Sequence, residues 1–404
     1  MSSVDPPSPR LSSRQDAAAA PSTDSPARPA SRFERHPRLT LLVLAVVAVT
    51  LADFGFTFAY SLLRPGFYRD HSAFRVRSPI YHHGFEPGVS VDDERWGPLV
   101  ASYRIDSLGF RDQAVRPVPL RSAEWRAVLI GDSFTEGIGV PYEDTFAGIA
   151  AASLAPSGVE VLNAGAASFS PIIYLRRVRN LLEDVGLRFD HLVVFLDVGD
   201  IQDEVTYAFD ERGNVVSREA RRLREERANR VHGRPFFLRS LAVRRFLDRH
   251  TLLLALLYDA ADRWLTRGPR RAALWTVDPQ AFEEYGREGL ENARAHMDAL
   301  AELVARHGIG LTVAVYPWPD HVILGDRDSK QAAFWRAWAA GKHVGFLDYF
   351  PLFVGVGEAK ETVRRDFIPG DIHWNAAGHR VIAEPLLEHL RGLAARRAKP
   401  PAAP

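Results

Sequence analysis

The chain has 404 residues, a formal net charge of +1, 46% hydrophobic and 25% charged residues, and no cysteine. That length supports one large or two modest domains with a full-sized core. The near-neutral charge gives no bulk electrostatic reason to bind nucleic acid. The absence of thiols excludes cysteine nucleophiles, cysteine-ligated zinc and disulfides.

Residues 1–37 are rich in Pro, Ser and Ala, a composition that cannot bury enough apolar surface to fold, and predict a disordered cytoplasmic tail. Arg28, Arg32, Arg35 and Arg38 then lead into an apolar run, Leu39–Leu63. A bilayer crossing needs ~20 such residues, so 38–63 is expected to be a transmembrane anchor. The preceding arginines predict a cytoplasmic N-terminus and a body outside the membrane, in the periplasm or at the cell surface. Asp53 interrupts the run at an insertion cost of about 2.5–3.5 kcal/mol. A signal-peptide core cut near Ala52 is therefore the second reading. The long N-terminal region and the aromatic continuation Phe54, Phe56, Phe58 and Tyr60 favour the retained helix.

Residues 64–120 show short alternating stretches with Gly and Pro punctuation, which predict a small β-rich extension. His82 and His83 are adjacent there, and neighbours on a strand point to opposite faces, so packing or surface roles are expected over metal binding. From 121 onward strand-like and helix-like segments alternate. WRAVLI, VEVLNAG, HLVVFLDVGD, IGLTVAVYPW and KHVGFLDY read as strands between amphipathic helices. This alternation predicts an α/β fold, a three-layer α/β/α domain with a parallel sheet over 121–398. The order is broken at about 207–278 by an expected helical insertion, containing REARRLREERANR and RPFFLRSLAVRRFLDRHTLLLALLYDAADRW. A cap over the site, an interfacial helix and a plain packed hairpin all fit it.

Active sites of open α/β sheets lie outside the carboxyl ends of the strands. WRAVLI is followed by GDSFTEGIG, where Gly131 permits a tight turn and Ser133 opens a helix. Free backbone N–H groups and the helix dipole favour developing negative charge there. The plainer reading is that Asp132 or Ser133 only caps the helix. Near the C-terminus, DIHWNAAGH supplies His373 as candidate base, since imidazole shuttles protons near neutral pH. Asp371, two residues earlier, can hold the ring in one tautomer. Asn375 and Gly378 are expected to turn the chain into the last helix. Trp374, beside His373, and Asp132 are the expected substrate contacts. Trp318, Trp335 and Trp338 could form a sugar-stacking wall, although the i,i+3 pair suits packing. His321, after YPWP, is expected in a surface loop rather than lining the site. Asp197, Asp200, Asp203 and Glu204 suggest a metal site only faintly; Asp200 with Asp203 is expected to cap the next helix, so neither metal nor cofactor is expected.

These segments resemble the SGNH/GDSL hydrolases. GDSF at 131–134 resembles their first block, NAGAAS at 163–168 their second, LDVGD at 196–200 their third and DIHWNAAGH at 371–379 their fifth. The resemblance covers roughly 121–395 without the insertion. It implies Ser133 as nucleophile, His373 as base and Asp371 as orienting acid, with Ser133 N–H as one oxyanion donor. Ser168 takes the place of a glycine whose N–H is the second donor. Gly199 takes the place of an Asn whose side chain is the third, and losing one such donor costs ~10²–10³ in rate. Gln202 is a candidate substitute. The family spacing D-x-x-H would put the acid at Gly370, whereas this chain has D-x-H. The D-x-H-W form also resembles SGNH-like enzymes that acetylate exported polysaccharides. The expected function is a membrane-anchored serine esterase acting on O-acyl esters of a surface glycan or lipid. An acyltransferase with the same dyad and an inactive glycan-binding relative are the alternatives. No protein partner is implied.

Overall fold

The computed structural model describes residues 35–63, 74–96, 99–218 and 270–398, with Leu253, Leu254 and Leu257. The predicted tail lies almost wholly outside the described residues, as do the two predicted insertion helices apart from those leucines. The chain divides into two units, Met1–Ala59 and Tyr60–Pro404. The first carries helix α1 (Pro37–Leu63). Its stretch Pro37–Ala59 has a mean hydropathy of 2.3 and is long and apolar enough to cross a bilayer.

The second unit is built on one eight-stranded sheet, in the order β12-β11-β8-β6-β7-β5-β4-β3. Its parallel part comprises β6 (Trp125–Ile130), β7 (Val159–Asn163), β8 (His191–Leu196), β11 (Gly310–Val315) and β12 (Gly345–Asp348). Every residue of β8 is buried, as are Arg126 to Ile130 of β6. That is why both read as near-continuous apolar runs: helices cover both faces. The predicted α/β layering is present, but the sheet is mixed rather than purely parallel. Three antiparallel strands from the 64–120 segment extend it beyond β7: β3 (Ser90–Trp96), β4 (Leu99–Ile105) and β5 (Arg111–Asp112). A separate hairpin, β1 (Arg75–Ser78) with β2 (His82–Phe85), precedes them. The insertion opens on a further hairpin, β9 (Tyr207–Phe209) with β10 (Val215–Ser217).

The helices follow from the right-handed crossover rule. The turn α2 (Ser133–Glu136) and helix α3 (Phe146–Leu154) link β6 to β7. Helix α4 (Pro171–Arg179) then carries the chain back past β6 to β8, so it falls on the opposite face. The turn α5 (Asp200–Asp203) follows β8, and α6 (Arg287–Arg306) packs beside α4. The turn α7 (Pro319–Leu324) follows β11, and α8 (Lys330–Lys342) lies against β11 and β12. Helix α9 (Ala359–Asp366) precedes the final helix α10 (Ala376–Ala398), which returns to α3. The strand order therefore reverses at β6, between β7 and β8. A crevice opens outside the carboxyl ends of strands at such a reversal. Ser133 is three residues past the end of β6.

Candidate active site

The turn after β6 is tight because Gly131 has no side chain. A Cβ there would meet Thr135 Oγ1 at 2.2 Å and the Phe195 carbonyl at 2.9 Å. Asp132 caps α2, accepting from Phe134 N at 2.9 Å, and this leaves Ser133 at the first helical position. At the far end of the turn, the buried Arg111 donates to the carbonyls of Glu136, Gly137 and Val140 at 2.8, 2.6 and 2.7 Å. The four-residue element is thus held at both ends.

His373 reaches Ser133 across 240 residues of chain, with Nε2 2.8 Å from Oγ. Its Nδ1 lies 2.5 Å from Asp371 Oδ1, which also accepts from His373 N at 3.0 Å. Asp371 therefore forms an Asx turn over its own backbone, and that turn is why the short D-x-H spacing suffices. Asn375 caps α10, accepting from Ala377 N at 2.8 Å and Gly378 N at 3.1 Å. Asp371's outer oxygen, Oδ2, accepts from Trp96 Nε1 at 2.8 Å. Burial alone would raise the Asp371 carboxyl, but the hydrogen bond and charge of His373, with Trp96 adding to them, hold it well below the usual range. Trp96 closes β3, just past a bulge between Val91 and Glu94, and its ring stands edge-on to His373 at 5.4 Å. Bulges re-aim side chains in this way.

The opposite side of Ser133 is formed by the loops after β7 and β8. Ser168 is left-handed, with φ of 60°. Glycine is the residue most at ease in that conformation. Among the described residues no acceptor takes its N–H. Its loop is anchored instead through neighbouring atoms. Ala167 N donates to Glu136 Oε2 at 2.8 Å, His83 Nε2 lies 2.6 Å from Ala167 O, and Tyr207 OH donates to Ser168 O at 3.3 Å. Burial would raise the Glu136 carboxyl, but the Arg75 guanidinium, bonded to both its oxygens, holds it below its ordinary value. The hairpin β1–β2 and the hairpin β9–β10 thus both reach the rim of the site.

Gly199 N–H is already taken: it donates to Asp197 Oδ1 at 2.5 Å. A Cβ at Gly199 would meet that same oxygen at 2.7 Å and the Trp318 ring at 3.2 Å. The space an Asn side chain would need is filled by the indole, whose Nε1 donates to Asp197 Oδ2 at 2.6 Å. Gly199, expected at the oxyanion hole in place of an Asn, thus offers it neither a side-chain nor a backbone donor. Gln202 sits half-buried in α5.

Asp132, Asp197 and Asp200 have carboxylate oxygens all within 4.8 Å of one another. Tyr316 OH donates to Asp132 at 3.0 Å and Tyr174 OH to Asp200 at 2.9 Å. Burial raises all three carboxyls, and for Asp197 and Asp200 the neighbouring carboxylates add to the rise. These carboxyls therefore release their protons at higher pH than isolated ones. Asp200 does not cap α5. That position is Gly199, and the Asp200 side chain accepts from Asp197 N at 3.2 Å.

Five sequence expectations change place. Trp374 is fully buried, packed against Phe134 at 4.6 Å and Tyr316 at 4.7 Å, and is no substrate contact. Phe367 and Trp374 form an isolated bridge. His373 Nε2 reaches Ser133 while the Trp374 ring packs in the core, and both rings lie against Phe134. Trp318, Trp335 and Trp338 are buried too and form no exposed wall. The indole beside His373 that does reach solvent is Trp96, 38% exposed. Asp132 is buried as a cap rather than open to substrate. His321 is buried, with Trp318 N donating to its Nδ1 at 3.0 Å. His82 has φ of 78°, which breaks strand alternation, so the two adjacent histidines face each other instead of opposite sides. Sequence reasoning missed Trp96, Glu136, Arg75 and His83; Glu136 lies three residues after Ser133 in the same motif, whereas the other three lie far from Ser133 and His373 in the chain. A 660 Å³ open groove lined by Trp125, Leu154 and Arg391 lies at the amino end of β6 and contains none of these groups.

No family model and no curated protein matches the chain. Solved structures do. A lipolytic protein of the G-D-S-L family from Desulfitobacterium hafniense matches with 14% identity and a TM-score of 0.36, over 65% of this chain and 98% of that one. A psychrotrophic esterase from a Pseudoalteromonas species matches with 11% identity and a TM-score of 0.36, over 67% and 98%. An acetylxylan esterase from Geobacillus stearothermophilus matches with 11% identity and a TM-score of 0.38, over 66% and 94%. The fold itself stands on the strand order and the two helix layers around Ser133.

Proposed function

We propose that this chain is a serine ester hydrolase of SGNH type, anchored by α1, with its Ser133 unit outside the cytoplasmic membrane. The observation that carries this reading is the Ser133–His373–Asp371 line, with contacts of 2.8 and 2.5 Å. Ser133 Oγ attacks the ester carbonyl carbon and passes its proton to His373 Nε2. The negative oxygen of the tetrahedral intermediate accepts from Ser133 N–H and Ser168 N–H. Collapse breaks the C–O bond, and the leaving alkoxide takes the proton from His373. Water then attacks the acyl-enzyme by the same steps in reverse, releasing the carboxylic acid and free Ser133. Asp371 keeps the proton of neutral His373 on Nδ1, so that Nε2 is free to accept.

The substrate proposed is an O-acyl ester of a cell-surface glycan or lipid, the class reached by a body outside the membrane. The arginines before α1 and its apolar length support that placement. The completed hydrogen-bonded line argues against a binding protein without activity. Purified full-length protein in detergent should hydrolyse a nitrophenyl acetate and take a fluorophosphonate label on Ser133. Ser133→Ala should abolish both, and hydrolysis that survives this change would sink the assignment.

A further inference from the structure

We infer that the His82–His83 pair clamps and polarises the Ala167–Ser168 peptide, which makes His83 a positioning residue for the oxyanion; this rests on the ester-hydrolase reading above. The carbonyl of Ala167 and the N–H of Ser168 belong to one peptide unit. That unit is trans and planar, so its C=O and N–H point in opposite directions. Whatever grips the carbonyl sets the direction of the N–H. His83 Nε2 grips it at 2.6 Å.

The proton positions follow from the network. A carbonyl oxygen only accepts, so His83 Nε2 carries a proton. Burial is the main cause that lowers the His83 pKa and keeps the ring neutral, which leaves Nδ1 as an acceptor. His82 Nδ1 lies 2.7 Å away and must donate to it. His82 Nε2 then accepts from the Ser217 hydroxyl at 2.8 Å. One tautomer of each ring satisfies these three contacts, in a line from Ser217 through His82 and His83 to Ala167. The rings are wedged as well: His83 stands edge-on to Phe169 at 5.0 Å, and His82 packs on Tyr207 at 4.9 Å. Tyr207 OH donates to Ser168 O, the next carbonyl along.

Two consequences follow. The left-handed Ser168 is held in place before substrate arrives, so its N–H needs no reorganisation when charge develops. Donation into the carbonyl also strengthens the N–H of the same amide, by roughly 10–30% in condensed-phase estimates. With Gly199 N–H spent on Asp197, the site depends on fewer donors, and each must be well aimed.

The test uses full-length protein in detergent, with nitrophenyl acetate turnover, fluorophosphonate labelling of Ser133 and inhibition by an alkyl boronic acid. The boronic acid forms a tetrahedral anion on Ser133. His83→Phe should lower kcat about tenfold with KM unchanged, less than the ~10²–10³ of deleting a donor outright. Boronate affinity should fall by the same factor. His83→Gln, whose amide can again donate to Ala167 O, should recover most of both. Wild-type kcat in His83→Phe, or a His83→Gln variant as slow as His83→Phe, would overturn the clamp while leaving the hydrolase reading intact. Wild-type protein that neither turns over the ester nor takes the label would overturn the hydrolase reading itself.

Discussion

The two sides of Ser133 are built differently. On the acid–base side every polar atom has a partner: Ser133 meets His373, His373 meets Asp371, and Asp371 meets Trp96. On the opposite side the backbone is left-handed at Ser168, and the Gly199 amide is turned inward to Asp197. The first side is completed by bonds within the site. The second depends on a scaffold around it, the Arg75–Glu136 pair and the two histidines that fasten Ala167.

Asp371→Asn should give the largest effect on turnover. An amide in place of the carboxylate presents N–H to His373 Nδ1 and stabilises the wrong tautomer, at a cost of about 10³–10⁴ in kcat. Single-turnover acylation would show it, and a loss of only a few-fold would mean that the acid–base side is less complete than its contacts imply. Trp96→Phe comes next. It keeps a ring over His373 and deletes one hydrogen bond, so kcat should fall about two- to tenfold. The pH dependence sharpens this variant. A depressed carboxyl adds stability above its ordinary pKa and loses it as pH falls through the lowered value. Without the indole N–H the Asp371 pKa rises towards normal, so acid unfolding should begin at a higher pH than in wild type.

Gly199→Asn asks whether a side-chain amide at this position could supply a further donor on this side. Its Cβ would overlap Asp197 Oδ1 and press on Trp318. Overpacking of this kind costs about 1–3 kcal/mol. The expected result is a lower melting temperature and no gain in kcat; a faster enzyme would show that the inward turn of Gly199 is easily reversed and that the two sides are more alike than they look.

The parts legible in sequence share one property: they follow a buried strand within a few residues or lie in one turn. The β6 run announces Ser133, and the Asx turn links Asp371 to His373 locally. Alternation of strands and helices gave the layers, because each helix has to cover a face of the sheet between two strands. Trp96 was not legible, since 275 residues separate it from Asp371. His83 was hidden because a positive φ at His82 cancels the alternation on which strand reasoning depends. The antiparallel strands were read as a separate extension, since strand pairing carries no mark in a short polar segment such as SVDDERW. Trp374 was misplaced because its ring packs among Phe134, Tyr316 and Phe353, residues distant in sequence that adjacency to His373 does not reveal.

The scaffold on the oxyanion side should also respond to pH differently from the acid–base side. Arg75 lies between Glu136 and Glu94, at 2.5 and 3.6 Å. Glu136 is held ionised, whereas burial, only partly opposed by Arg75, pushes Glu94 up to about 7. A raised carboxyl means that the folded state binds more protons than the unfolded chain between the two pKa values. Stability is then full below the ordinary carboxylate pKa and is lost as pH rises through about 7. For Glu94 the loss between pH 5 and pH 8 is on the order of 2 kcal/mol. Glu94→Gln removes the titrating group, so its melting temperature should fall less than that of wild type over this interval. Equal slopes in the two proteins would place Glu94 in water-like surroundings and leave Arg75 bound to Glu136 alone. A flatter slope in the variant would show that the rigidity of the oxyanion side depends on a proton, while the carboxylate on the acid–base side stays ionised throughout the same range.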